Sequence, residues 1–422
     1  MHSVTNAIPT GTIASIPAKA HAHRALICAA LASSPSTILL SRTSKDIDAT
    51  MDSLRGLGAH VVYENKVVTV TPGPAPTKGD VVPHESGTTL RLLLPVAASI
   101  CNNVDVDAKG RLPDRPLEPM LSEMKAHGVI FSQDKPPFTM TGRLQGGNFS
   151  MVGDVSSQFF SGLLLAAPQI GLSTITSTTP LQSSDYVTLT TETMRDFGVE
   201  VEHTLPDTNI NEAFTVPFGA SFIGRDNYQI EGDWSNAAIW MIAAGMTGKP
   251  ITITGMNKNS VQADRRIMQV IIDAGCDVVW DGMNVTVTGR ASKPIHANLE
   301  QMPDMLPVMA ALACSISGES SFIKGARLRL KESDRLVAVA NLVRDLGGTV
   351  REEGDDLYII GSGILKGGHG DCVNDHRLVM AGTLMALISE NPVTLKDSEA
   401  ITKSYPDFFE DWNLLGGDAH GI

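Results

Sequence analysis

Basic side chains stand in this sequence where helix physics disfavours them. The segments AKAHAHR (Ala18 to Arg24), ESGTTLR (Glu85 to Arg91) and NDHR (Asn374 to Arg377) each open an apolar run with cations: Lys19 and Arg24, Arg91, and Arg377. A cation at the positive end of a helix dipole is unfavourable unless an anion lies nearby, and the free N–H groups there bind anions directly. Three further apolar runs open with GDVSSQ (Gly153 to Gln158), GDWSN (Gly232 to Asn236) and MPD (Met302 to Asp304). Asp, Ser, Thr, Asn and Gly are ordinary N-caps, so capping explains each motif taken singly. Six such N-termini brought together would form a strong anion site.

A second cluster is RLRLKESDR, Arg327 to Arg335, which leads into a helix with Leu336, Val339, Val343 and Leu346 on one face. Lys331 and Arg335 lie four apart and project together if the helix starts early. Lys403, in ITKSYPDFF, precedes the last helix. Alone, Lys403 fits a surface lysine and Asp304 a cap.

The elements that must position these groups repeat. Amphipathic phrases end in Gly58, Gly128, Gly198, Gly275, Gly347 and Gly416, at intervals of 69 to 77 residues. Glycine ends helices because it takes the left-handed conformation without strain. Between these phrases lie six runs that are apolar nearly all round: HRALICAALA, GTTLRLLLPVAASI, SSQFFSGLLLAA, SNAAIWMIAAG, DMLPVMAALACSIS and DHRLVMAGTLMALIS. That pattern predicts buried helices. The β-favouring stretches STILLS, KVVTVTP, STITST, PITITG, NVTVTG and LYIIG complete six βα-rich units, three plus three. The longest glycine interval predicts a domain boundary near residue 225.

The 422 residues suffice for two or three domains. A charge of −13 opposes binding to nucleic acid or anionic lipid, so an anionic ligand must be captured locally. No apolar run approaches the roughly 20 residues of a membrane span, and no secretory signal is visible at the N-terminus. The five cysteines, odd in number and scattered, predict a reduced, cytoplasmic chain with neither a disulfide framework nor a zinc cluster.

The motifs AKAHAHR, ESGTTLR, RLPDRP, GDVSSQFFSGLLLAAP, SSDYVTLT, VQAD, RLKESDR, NDHR and TKSYPDFF, in this order, resemble those of the EPSP synthase (3-phosphoshikimate 1-carboxyvinyltransferase) family from about residue 12 to residue 416. The resemblance implies an α/β fold, a two-domain inverse α/β barrel with three βαβαββ units per domain. The expected domains are 13–225, binding shikimate-3-phosphate, and 226–422 with an N-terminal strand 1–12, carrying the phosphoenolpyruvate-binding and catalytic residues. It also implies transfer of the enolpyruvyl group of phosphoenolpyruvate to the 5-hydroxyl of shikimate-3-phosphate, a step of the shikimate pathway to aromatic amino acids. No metal or organic cofactor is needed; a cytoplasmic monomer acting on two small molecules, without nucleic acid or membrane, is expected.

By resemblance, Asp304 is the base at the 5-hydroxyl, Glu332 a partner in proton transfer at the methylene carbon, and Lys19 a further proton-transfer group beside both substrates. Arg115, Arg335, Arg377 and Lys403 grip phosphoenolpyruvate, Gly87 admits it to the backbone, Gln158 assists and His376 lies near the reacting centre. Ser156, Ser157 and Ser183 hold the 3-phosphate of the other substrate, while Arg24 meets its carboxylate and Lys331 its hydroxyls. The chain departs from the family at Ala18 and Ala20, which replace serines and remove a hydroxyl expected at the shikimate carboxylate. Two alternatives are the sister enzyme acting on UDP-N-acetylglucosamine and a catalytically silent binder of phosphate esters. Gly110 stands where the sister enzyme carries a loop cysteine. A silent binder gains nothing from burying carboxylates such as Asp304 and Glu332 near its ligand.

Overall fold

In the computed structural model, which describes residues 1–207 and 211–422, the apolar runs and the glycine-ended phrases alternate as helices. The first six are α1 (Lys19–Ala30), α2 (Lys45–Gly56), α3 (Gly87–Ile100), α4 (Met120–Ala126), α5 (Ser157–Ile170) and α6 (Asp185–Asp196). The next six are α7 (Trp234–Thr247), α8 (Ile267–Asp273), α9 (Leu306–Ser315), α10 (Arg335–Asp345), α11 (His376–Ala386) and α12 (Phe408–Leu414). The odd-numbered helices are buried on nearly every side: in α9 every residue from Leu306 to Ser315 is buried. The even-numbered ones bury one face, as α2 does through Ile47, Met51 and Leu54. Each large apolar side chain so buried contributes roughly 1.5 to 3 kcal/mol. The six expected glycines all take a left-handed φ, between 86° and 104°.

Among the described residues the strands form six four-stranded sheets on one plan. In one of them Gly79–Val81 runs parallel to Asn103–Val106, joined to it through α3, and Phe138–Thr141 and Ile130–Phe131 follow antiparallel. Gly147–Met151, Ser173–Ser177, Glu212–Val216 and Glu202–Thr204 repeat that order around α5. A parallel pair bridged by a buried helix, then an antiparallel pair reached through an amphipathic helix, is the βαβαββ unit.

The sheets divide three and three between two compact units: a continuous one, Pro17–Ile230, and a discontinuous one, Met1–Ile16 with Glu231–Ile422. These limits correct the expected 13–225 and 226–422. The strand Gly11–Ala14 pairs in parallel with Ile251–Thr254, which keeps the chain in the discontinuous unit through Ile16. Tyr228–Gln229 pairs with Ile38 and Leu39, which keeps residues 226–230 in the continuous one. The expected N-terminal strand is two strands, His2–Val4 and Gly11–Ala14. Among the described residues no helix is long and apolar enough to cross a membrane.

Candidate active site

In the continuous unit, side-chain hydrogen bonds draw the first turns of the buried helices together. Gln158 of α5 accepts from Arg91 Nη1 of α3 (3.1 Å) and donates to Thr88 Oγ1 (2.9 Å). Ser156 caps α5, accepting from the Gln158 N–H (3.3 Å), and Ser157 is buried as its first residue. Ser183, also buried, has φ +54°, a strained conformation for a serine that the surrounding structure must impose. Gly87 opens α3, and a Cβ there would lie 2.5 Å from Arg115 Nη1 and 2.9 Å from its Cζ, so a larger residue would displace that guanidinium. The Arg115 guanidinium therefore lies directly against that helix end.

Lys19, the first residue of α1, pairs with Asp46 Oδ2 of α2 at 2.7 Å. Arg24, also on α1, is enclosed by its neighbours. It is 1% exposed, and it donates to Thr190 Oγ1 (2.7 Å), Ala20 O (2.7 Å), Tyr186 O (3.0 Å) and Ser161 Oγ (3.3 Å). Arg24 thus ties α1 to α5 and α6.

In the discontinuous unit the same kind of gathering is built from charges. Arg335, the first residue of α10, donates from Nη1 to Asp304 Oδ1 (2.6 Å) and from Nη2 to Glu332 Oε2 (2.6 Å). It also donates from Nε to Asp375 Oδ2 (2.8 Å) and from Nη2 to Asp375 Oδ1 (3.3 Å). Four of the five N–H groups of its guanidinium are thereby used inside the protein. It thereby organises the three acidic residues around it. Lys331 Nζ reaches the same Asp304 Oδ1 at 3.1 Å.

Burial pushes the Asp304 carboxyl upward, but Lys331, Arg335 and Arg377 outweigh it and hold the group far below the usual carboxylate range. For Arg335 burial lowers the pKa, yet Asp375, Glu332 and Asp304 raise it well above the ordinary value. Burial dominates at Lys331 and lowers its pKa despite Asp304. Asp304 is thus a half-buried carboxylate held in its ionised form.

His376 and Arg377 open α11 and are both buried. The turn before them carries Val373 at φ +43° and Asn374 at φ +54°. A β-branched residue there is a genuine outlier. This bend leaves the Asn374 carbonyl 2.8 Å from Lys403 Nζ, which holds that lysine beside the start of α11. Arg377 Nη1 donates to the Ser235 carbonyl (3.0 Å), joining α11 to the first turn of α7.

The structure therefore gathers Lys19, Arg24, Gly87, Arg115, Gln158, Ser156, Ser157 and Ser183 about helix starts of one unit. It gathers Asp304, Lys331, Glu332, Arg335, His376, Arg377 and Lys403 about those of the other. Sequence reading missed Asp46 and Asp375. Both lie in first turns or caps, where an acid is unremarkable; Asp375 also accepts from the Arg377 N–H at 3.0 Å. Asp264, in the quoted VQAD motif, received no role. Among the described residues no group of three or more His, Cys, Asp and Glu side chains is placed to hold a metal ion.

The model of the EPSP synthase (3-phosphoshikimate 1-carboxyvinyltransferase) family matches residues 7–412. The 3-phosphoshikimate 1-carboxyvinyltransferase of Clostridium kluyveri is 36% identical over 407 residues, covering 95% of this chain and 94% of its own. That of Methanocorpusculum labreanum is 34% identical over 417 residues and covers 97% of each. A solved EPSP synthase from Acinetobacter baumannii has the same fold, with a TM-score of 0.80 and 23% identity over 100% of this chain and 99% of that one. A family match that runs nearly end to end, with relatives more than 30% identical over at least 95% of this chain, makes it a member of the EPSP synthase family.

Proposed function

We propose that the chain transfers the enolpyruvyl group of phosphoenolpyruvate to the 5-hydroxyl of shikimate-3-phosphate, giving 5-enolpyruvylshikimate-3-phosphate and phosphate. The observation that carries this reading is Asp304, a half-buried carboxylate kept ionised by Lys331, Arg335 and Arg377 and linked through Arg335 to a second carboxyl, Glu332. Addition needs a base at the hydroxyl and an acid at the methylene carbon, and elimination reverses the second transfer. The hydroxyl oxygen bonds to C2 of phosphoenolpyruvate as its proton passes to Asp304 and C3 gains a proton. The tetrahedral adduct then loses a proton from C3 and expels phosphate from C2. Glu332 and Lys19 are the groups assigned to the C3 proton.

Arg115, Arg377 and Lys403 hold the phosphate and carboxylate of phosphoenolpyruvate in this reading, with Gly87, Gln158 and His376 beside it. Cations at helix starts suit such polyanions. Ser156, Ser157 and Ser183 receive the 3-phosphate, and Lys19 and Lys331 the remaining polar groups of shikimate-3-phosphate. Arg335 joins the group that holds phosphoenolpyruvate and Arg24 meets the carboxylate of shikimate-3-phosphate, each also fixing the residues around it. All five cysteines are free and buried, which suits a reducing compartment such as the cytoplasm; we assign the chain there as a monomer.

Purified protein should release phosphate only when both substrates are present, and UDP-N-acetylglucosamine should not replace shikimate-3-phosphate. Turnover with the nucleotide sugar would sink the assignment. Asp304→Ala should lower kcat by about 10² to 10⁴; a loss below about threefold would place the base elsewhere.

A further inference from the structure

Arg377 is 4% exposed, and among the described residues the Ser235 carbonyl is its one side-chain hydrogen-bond acceptor; its Nε has none. A buried guanidinium so sparsely paired needs negative charge nearby. Ser235 supplies the connection, because its hydroxyl donates to Asp264 Oδ2 while its carbonyl holds Arg377. Asp264 is 1% exposed and lies in the short 3-10 turn Ala263–Arg266, which packs on α7. Asn236, one residue beyond Ser235, is also buried, with no hydrogen-bond partner for either amide atom among the described residues. The start of α7 thus holds more polar capacity than the protein satisfies.

We propose that Asp264 is the resident counter-charge of Arg377, and that an anionic ligand arriving at Arg377 drives a proton from solvent onto Asp264. Ligand and carboxylate compete for one guanidinium. With the ligand bound, Asp264 loses its share of the compensating charge and sits beside a new anion, so its neutral form is favoured. The charged groups facing it are Asp304, Arg377 and Asp233. Burial first, then Asp304 and Asp233, push the Asp264 carboxyl up to about 6, against the pull of Arg377 and the Ser235 hydroxyl. Asp304 stays ionised under Lys331, Arg335 and Arg377, so the proton goes to Asp264. Anion affinity therefore rises as pH falls through neutrality, without protonation of the base.

Naming the anion as phosphoenolpyruvate rests on the proposed function; proton uptake on binding does not. Calorimetric titration of the full chain with phosphoenolpyruvate near pH 6.5, in buffers of different ionisation enthalpy, counts the protons exchanged. A one-unit rise in the Asp264 pKa corresponds to about half a proton more for wild type than for Asp264→Asn. The ligand's own titration cancels in that difference. Between about pH 5.5 and 7.5 the wild-type Kd should weaken by up to about tenfold relative to the variant. Ser235→Ala keeps the carboxyl but removes a donor to its ionised form, and should move the midpoint of uptake to higher pH. Equal uptake in wild type and Asp264→Asn, an unmoved midpoint in Ser235→Ala, or no binding of phosphoenolpyruvate overturns the inference. Proton uptake without phosphate release from the two substrates supports it and overturns the function; turnover with equal uptake does the reverse.

Discussion

Arg24 and Arg335, one in each unit, are both 1% exposed and both tie helix starts together, yet their surroundings are opposite. The acceptors of Arg24 are two hydroxyls and two carbonyls, and burial lowers its pKa to about 10. Three carboxylates surround Arg335 and keep it charged in spite of burial. The difference separates two tasks. Neutral acceptors fix Arg24 without cancelling its charge, so the continuous unit remains attractive to anions. Charge pairing at Arg335 helps hold Asp304 of the discontinuous unit in its ionised form.

The largest effect expected from breaking this comparison is that of Arg335→Met. It strands Asp375, which is fully buried, together with Asp304 and Glu332, and breaking a buried ion pair costs roughly 3 to 5 kcal/mol. Urea unfolding should show the loss, and acidification that protonates the stranded carboxyls should recover part of it. A variant as stable as wild type would mean that the three acids do not depend on this guanidinium.

Next in size is an acid effect carried by two histidines of the continuous unit. Burial lowers the His21 pKa to about 4 and holds His23 well below its ordinary value. Each is neutral when folded, while the unfolded forms protonate near 6.5. The stability they lend is complete above about pH 6.5 and is lost as pH falls toward 4, up to about 3 kcal/mol for His21. The depressed pKa of Asp304 gives a loss only below about pH 4. Asp264, whose carboxyl is pushed up to about 6, acts in the opposite sense in this window, so the test is a difference: the stability of wild type relative to His21→Gln should fall between about pH 7 and 4.5 in thermal melts, and a pH-independent difference would remove His21 from the account.

Arg24→Met should have the smallest effect, roughly 1 to 3 kcal/mol, because it leaves neutral acceptors unpaired rather than charges. A cost equal to or above that of Arg335→Met would collapse the distinction between the two arginines.

Much of this architecture is written locally. The glycines at 58, 128, 198, 275, 347 and 416 show the repeat because only a left-handed residue ends each helix in that way. The domain limits were less legible: Tyr228–Gln229 is a two-residue strand, too short for any periodicity to appear. The roles of the arginines were hidden for another reason. Thr190, Tyr186 and Ser161, which take up Arg24, lie 166, 162 and 137 positions away. Residue type shows that a cation is present, and only the fold shows which acceptors already occupy it. For the same reason Asp375 read as a cap, which it is, and not also as the partner of Arg335.

The N-terminal strand carries a consequence for synthesis. His2–Val4 lies between Val393–Lys396 and Ala419–Gly421, so a sheet of the discontinuous unit joins the two ends of the chain. The continuous unit is inserted between the strand Gly11–Ala14 and α7, and all its residues have been made by Ile230. It can fold on the ribosome while the first sixteen residues wait, whereas its neighbour cannot close its sheet until the last few residues emerge. Pairing across such a separation is slow and leaves strand edges exposed meanwhile. Loss of only the final strand would therefore leave the continuous unit folded and the first strand without one of its two partners.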